Sequence, residues 1–286
     1  MIIKIFSDFC DSSICKNAFE QCCKTFLLDF YGKNKNVYIV DDEDENYSHV
    51  IILNKAMPKL NIPKENVIGL AFEPYNFLNI TEEFIDYSKK HIGKYFIGDK
   101  RELPEPFVEN FGYLWFSRPS KEITEKKKIM SIILSNKKES DGHKYRHNLV
   151  KKIIENNLPI DIFGRGSLQY SKYTKKTNLI KGPFNEAEPY EDYLYTIAIE
   201  NFRSNHYFSE KIINPIMYNC SPIYVGCKNI HKYFDDIILL SGNINYDMKI
   251  IYNILREPFK YYKKSYTEKH EKNINLLKNI ETIFNG

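Results

Sequence analysis

Short apolar runs that do not alternate with polar residues constrain this chain most. In the first half they are Ile2–Phe6, Val37–Val40, His49–Leu53, Val67–Phe72, Lys94–Ile97 and Tyr113–Phe116. In the second half they are Ile129–Leu134, Ile160–Phe163, Thr196–Glu200, Pro222–Val225 and Ile237–Leu240. A strand with one wet face would alternate. An unbroken run of Val, Ile, Tyr and Phe fits a strand buried on both faces of a parallel sheet. Helical periods lie between the runs. Tyr145–Asn156 gathers Leu149, Val150, Ile153 and Ile154 on one side, and Ser209–Tyr218 gathers Ile212, Ile213, Ile216 and Met217. The stretch from Tyr246 to Phe284 predicts one or two long helices, broken at Pro258. Strands and helices in alternation predict an α/β fold with parallel sheets.

The chain has 286 residues, room for one large or two small domains. A polar, proline-bearing run, Ser117-Arg118-Pro119-Ser120-Lys121-Glu122, precedes a fresh strand at Ile129. It places a boundary near Arg118–Lys128 and predicts two Rossmann-like domains, 1–120 and 121–286, facing across a cleft. Ligands of such sheets sit at the carboxyl ends of the strands.

Charge and cysteines narrow the function classes. With 41 Lys+Arg against 37 Asp+Glu the net charge is +4, too balanced for a chain that grips nucleic acid through its phosphates. The run Lys260-Tyr261-Tyr262-Lys263-Lys264-Ser265-Tyr266 reads as the wet face of a helix, with no nucleic-acid partner expected. It leaves room for contact with an acidic membrane surface. No apolar run reaches the roughly 20 residues of a transmembrane helix. The amino terminus turns acidic too early for a signal peptide. Cys10, Cys15, Cys22, Cys23, Cys220 and Cys227 lack the spacing of a zinc site and read as free thiols in a reducing, cytoplasmic compartment. The acidic run Asp41–Glu45 reads as a solvated loop, and no metal site is expected there.

Most nucleotide and hydrolase motifs are absent, but Tyr193–Gly226 stands out. An apolar strand runs into Glu200 and Asn201, a polar loop follows, and a helix opens with Ser209, Glu210 and Lys211. Ser209 suits an N-cap. A lysine in the first turn opposes the helix dipole, which a purely structural helix would avoid. A helix N-terminus, a lysine and a strand-end acid together suit an anionic ligand with sugar hydroxyls, such as a nucleotide sugar.

This segment resembles the α-1,3/4-fucosyltransferases of glycosyltransferase family 10. Their signature runs as Phe-Glu-Asn-Ser, then Asp-Tyr-Val-Thr-Glu-Lys, then Asn and a Pro-Val-Val-x-Gly strand. Here Ile199-Glu200-Asn201-Phe202 is followed by His206-Tyr207-Phe208-Ser209-Glu210-Lys211, Asn214 and Pro222-Ile223-Tyr224-Val225-Gly226. Ile132-Ile133-Leu134-Ser135-Asn136 with Arg146, and Ile160-Asp161-Ile162-Phe163-Gly164, match earlier family segments. Phe202 and His206 stand where the family has Ser and Asp.

The resemblance implies a GT-B arrangement, with an acceptor-side domain first and a nucleotide-sugar domain second. It implies inverting transfer of fucose from GDP-fucose to a glycan hydroxyl. Glu73, in Gly69-Leu70-Ala71-Phe72-Glu73-Pro74, takes the place of the family's catalytic base. Arg146 and Lys211 would neutralise the diphosphate. Glu200 and Glu210 would accept from ribose or sugar hydroxyls, and Asn201 and Tyr207 would orient the donor. Ser209 would cap the helix and donate to a phosphate, with Ser135 and Asn136 as further nucleotide contacts. No metal is obligatory on this reading, and stimulation by a divalent cation stays open. Two alternatives remain: a GT-B transferase using another nucleotide sugar, and a non-catalytic carbohydrate-binding relative.

Overall fold

The computed structural model describes residues 1–26, 28–114, 116, 119, 125–263 and 272–285. Most of the polar boundary run, and residues 264–266 of the tyrosine- and lysine-rich stretch, lie outside the described residues. The chain divides into two compact units. The first is Met1–Arg118, Ser204–Tyr207 and Glu268–Gly286; the second is Pro119–Arg203 and Phe208–Thr267.

The first unit carries β1 (Ile2–Ser7), α1 (Ser12–Phe26), β2 (Tyr38–Val40), β3 (His49–Leu53), β4 (Val67–Leu70), α2 (Tyr75–Leu78), α3 (Glu82–His91), β5 (Lys94–Ile97) and β6 (Phe107–Glu109). Its sheet runs in the order β2-β1-β3-β4-β5-β6, with every pair parallel. β4 is buried throughout and β3 nearly so, as unbroken apolar runs require. Val50, Ile52, Val67, Tyr95, Ile97 and Phe107 share one core with Phe84 of α3.

The second unit carries β7 (Lys128–Ile133), α4 (Asp141–Glu155), β8 (Ile160–Phe163), β9 (Ile180–Gly182), β10 (Tyr193–Ile199), α5 (Glu210–Met217), β11 (Ser221–Val225), β12 (Ile238–Leu239), α6 (Ile244–Arg256) and α7 (Pro258–Tyr261). Its order, β12-β11-β10-β7-β8-β9, is also parallel throughout. All seven residues of β10 and all five of β11 are buried. Leu149, Val150 and Ile153 of α4 pack with these strands in one core.

Two expectations need correction. Tyr113–Phe116 is not a strand: Leu114 makes a single bridge to Asn275, and Trp115 lies outside the described residues. Tyr113 packs on Phe96 and Phe111, and Phe116 on Phe26, while Leu114 pairs with the segment before the last helix, its N donating to Ile274 O at 3.1 Å. That helix, α8 (Leu276–Asn285), groups with the first unit, whereas the boundary at residue 120 assigns it to the second. It buries Leu276, Leu277, Ile280 and Ile283 and lies against β4. Pro258 does end α6, standing at the first position of α7.

Candidate active site

Each sheet has one place where consecutive crossovers leave in opposite directions. In the second sheet it lies between β7 and β10. Ligands of open parallel sheets bind outside the strand carboxyl ends at such a point. Ser135 and Asn136 follow β7, and Glu200 and Asn201 follow β10. The sequence-predicted residues of the second unit therefore converge on the switch point.

The head of α4 closes on the same corner. Ser140 caps it by accepting from His143 N at 3.2 Å, and His143 Nδ1 accepts from Ser140 N at 3.3 Å. Gly142 N donates to Asn201 O at 3.1 Å. A Cβ on Gly142 would lie 1.9 Å from Glu200 O, so only glycine lets the helix approach this closely. One turn on, the buried guanidinium of Arg146 donates through Nη2 to Ile199 O, the last carbonyl of β10.

Glu200 is 1% exposed. Ser209 N donates to its Oε1 at 2.9 Å, and Ser209 Oγ donates to its Oε2 at 2.7 Å. Lys211 Nζ lies 3.6 Å from the same Oε2, and it donates to Ser209 Oγ at 3.0 Å and Glu210 Oε1 at 2.9 Å. Burial pushes the Glu200 carboxyl above the usual carboxylate range, against the pull of Lys211. For Lys211, burial disfavours the charge, but Glu200 and Glu210 outweigh it and hold its pKa above the ordinary lysine value. The ammonium at the head of α5 is thus charged at neutral pH.

Within the chain, two of the expected donor contacts have partners of their own. Both Glu200 oxygens accept hydrogen bonds from Ser209, and Glu200 thereby positions Ser209 beside Lys211. Ser209 caps α5, as expected of it, and its hydroxyl donates to Glu200. Glu210 has a 64% exposed side chain and remains open to solvent beside Lys211.

Glu73 and Tyr207 lie in the first unit. Glu73 follows the end of β4, and Tyr207 OH donates to its Oε2 at 3.5 Å. Tyr207 is therefore grouped with Glu73 and not with the Glu200–Lys211 cluster. His206 Nε2 stands 3.5 Å from Glu109 Oε1, and a Cβ on Gly98 would lie 2.6 Å from Asn205 O. These four residues, 204–207, pack closely on the ends of β5 and β6. Sequence reasoning missed this, because the partners lie about a hundred residues away.

The acidic run has a structural use. Asp42 accepts from Ser12 N at 3.0 Å and Ser13 N at 2.9 Å, and Asp11 accepts from Ile14 N at 2.7 Å. Two carboxylates thereby satisfy the free N–H groups at the head of α1. Asp41 pairs with Lys16 at 2.9 Å. Among the described residues no group of three or more His, Cys, Asp or Glu side chains is placed to hold a metal ion. No helix among them is long and apolar enough to cross a membrane.

Residues 123–238 match the sequence profile of the glycosyltransferase family 10 (fucosyltransferase) C-terminal region. No curated protein matches the chain in sequence. Among solved structures, an α1,3-fucosyltransferase with GDP-fucose is similar at a TM-score of 0.56 and 13% identity, over 100% of this chain and 90% of that one. S. aureus TarM, in complex with Fondaparinux, α-GlcNAc-glycerol and UDP, is similar at 0.53 and 11%, over 83% of this chain and 55% of that one. The DNA-modifying enzyme β-glucosyltransferase is similar at 0.52 and 12%, over 100% of both chains. At such identities the likeness establishes the fold, two parallel α/β units of the GT-B kind.

Proposed function

We propose that the chain, whose residues 123–238 match the family 10 fucosyltransferase profile and whose fold is of the GT-B kind, is a glycosyltransferase that transfers fucose from GDP-fucose to a glycan hydroxyl with inversion. The observation that carries this reading is the clasp at the head of α5. A buried Glu200 fixes Ser209 and Lys211 at the strand-end switch point, inside the segment that matches the family profile.

The acceptor oxygen attacks the anomeric carbon from the face opposite the diphosphate. The carbon–oxygen bond to phosphate breaks, GDP departs with the electron pair, and the acceptor proton passes to Glu73 as general base. Negative charge grows on the leaving diphosphate. Lys211 supplies a compact positive charge there and Arg146 a planar one with several donors. Glu210, exposed beside Lys211, accepts from a donor hydroxyl, and Asn201, Ser135 and Asn136 contact the nucleotide. No step requires a metal, and stimulation by a divalent cation is an outcome that added magnesium or manganese would read. A reducing compartment goes with this reading, supported by six free thiols.

The test is a thermal-shift panel with GDP, UDP, CDP and ADP, each with and without magnesium, followed by transfer assays with GDP-fucose and a glycan array. Stabilisation by GDP and product from GDP-fucose are expected. Stabilisation by UDP alone would discard the donor and keep the fold. That second reading, a different nucleotide sugar, is favoured by Phe202 and His206 at positions where the family has Ser and Asp. Glycan binding with no nucleotide response would point to a non-catalytic relative.

A further inference from the structure

α4 has a second face that the donor chemistry does not use. Arg146 turns inward to Ile199. Lys144, His147, Asn148 and Lys151 follow the i, i+3, i+4, i+7 spacing of one helical stripe. This stripe forms one wall of an open groove of about 860 Å³. Lys172 and Tyr173, at the end of the 3-10 segment Arg165–Tyr173, belong to the other wall, and Lys138 stands in the lining too. The volume is that of a ligand site.

The walls are pinned together. His147 Nδ1 accepts from Tyr170 OH at 2.9 Å, and its Nε2 donates to Lys137 O at 3.2 Å. Lys138 Nζ donates to Gln169 Oε1 at 3.0 Å. The groove is therefore built by the fold and is not a gap between loose side chains.

Its charge is one-sided. Four lysines and one glutamate line it, in a chain whose net charge is only +4. The glutamate, Glu155, is already paired with Lys152 at 2.7 Å. Lys138 donates to a neutral amide, and Lys172 lies 5.0 Å above the Tyr173 ring. Lys144 and Lys151 make no salt bridge among the described residues. Seven residues of helix separate these two, about 10 Å of rise. One phosphate cannot meet both, but a polymer with repeated charges can. Tyr173, 65% exposed, offers a ring face beside the lysines.

We infer that this groove binds a polyanionic saccharide: the phosphate-, sulfate- or carboxylate-bearing stretch of the glycan acceptor. The inference rests on the glycosyltransferase reading and names the class of its acceptor. A single-stranded nucleic acid fits less well. It would need a series of ring faces for successive bases, and only Tyr173 is exposed here.

The experiment uses the full chain and fluorescence anisotropy with a fluorescein-labelled heparin oligosaccharide. Neutral dextran and a single-stranded oligonucleotide serve as comparison probes. Wild type is expected to bind heparin more tightly than either, with affinity falling as salt rises. A Lys144→Glu/Lys151→Glu variant is expected to lose at least about tenfold in heparin affinity, and Tyr173→Ala severalfold. The thermal shift with GDP should be unchanged in both, which certifies the fold and the donor site. If charge reversal unfolds the chain, Lys144→Gln/Lys151→Gln serves instead. Wild-type heparin binding by the lysine variant overturns the inference, as does tighter binding of the oligonucleotide by wild type. Lysine-dependent heparin binding with no GDP response would keep the groove and sink the GDP-fucose reading, so the two failures are separable.

Discussion

The two switch points share a topology and differ in chemistry. In the first sheet the switch lies between β1 and β3. There Asp8 accepts from Asn54 Nδ2 at 3.3 Å, and Asp42 and Asp11 fill the head of α1. In the second sheet the corner holds Arg146 and Lys211, each anchored to the end of β10 or the residue that follows it. A doubly wound sheet offers a helix N-terminus at either place. The side chains decide whether it receives an outside anion. Where the chain brings its own carboxylates, the N-terminus is spent on stability. Where it brings a lysine fixed by a buried acid, the corner keeps a cation at the head of the helix.

The comparison breaks most visibly at Lys211. Lys211→Ala should lower transfer from GDP-fucose by about a hundredfold or more and also lower the melting temperature, because the buried Glu200 loses its cation; steady-state rates below the melting range, beside a thermal melt, check this. If Glu73 is the base, as proposed, Glu73→Gln should abolish turnover and leave the GDP-induced shift intact, because a base on the acceptor hydroxyl does not hold the donor. Wild-type turnover by that variant would remove Glu73 from the mechanism.

Next come the glycines that let the second corner close. A Cβ on Gly226 would lie 2.3 Å from Glu200 Cγ. Gly226→Ala should cost about 1–3 kcal/mol by overpacking and weaken GDP binding as well. Calorimetry and nucleotide titration would show whether the two losses travel together.

The first corner should respond through stability alone. Hydrogen bonds from Ser13 hold the Asp42 carboxyl down at about 2, against an ordinary 3.8. The charged cap therefore stabilises fully above that ordinary value, and the contribution fades as pH falls towards about 2. Asp42→Ala should cost about 1 kcal/mol at neutral pH, flatten this acid limb in denaturant titrations, and create no affinity for GDP. The smallest effect is expected for Lys16→Ala. It removes the pair with the exposed Asp41, and solvent screening should leave the melting temperature nearly unchanged.

Much of the fold was legible because its strands are buried on both faces. Runs such as Val67–Phe72 and Ile160–Phe163 announce themselves without alternation. β6 and β9 did not, being edge strands of three residues each. α1 was hidden because its apolar face is built partly from Cys15, Cys22 and Cys23. The Glu200–Lys211 clasp was legible because one short segment supplies it. The burial of Glu200 was not, since it depends on Gly226 and on the proton of Ser209. Tyr207 beside Glu73 joins residues 134 positions apart, and no local pattern encodes such a pair.

The placement of α8 has a consequence for how the chain is made. Its helix completes the first unit, yet it is encoded more than 150 residues after Arg118. At ribosomal rates of about 5–20 residues per second, the first unit waits roughly ten to thirty seconds for its last element. During that interval the surface that α8 will cover on β4 is open. A folding helper, or the growing second unit itself, has that long to act before the first unit can close.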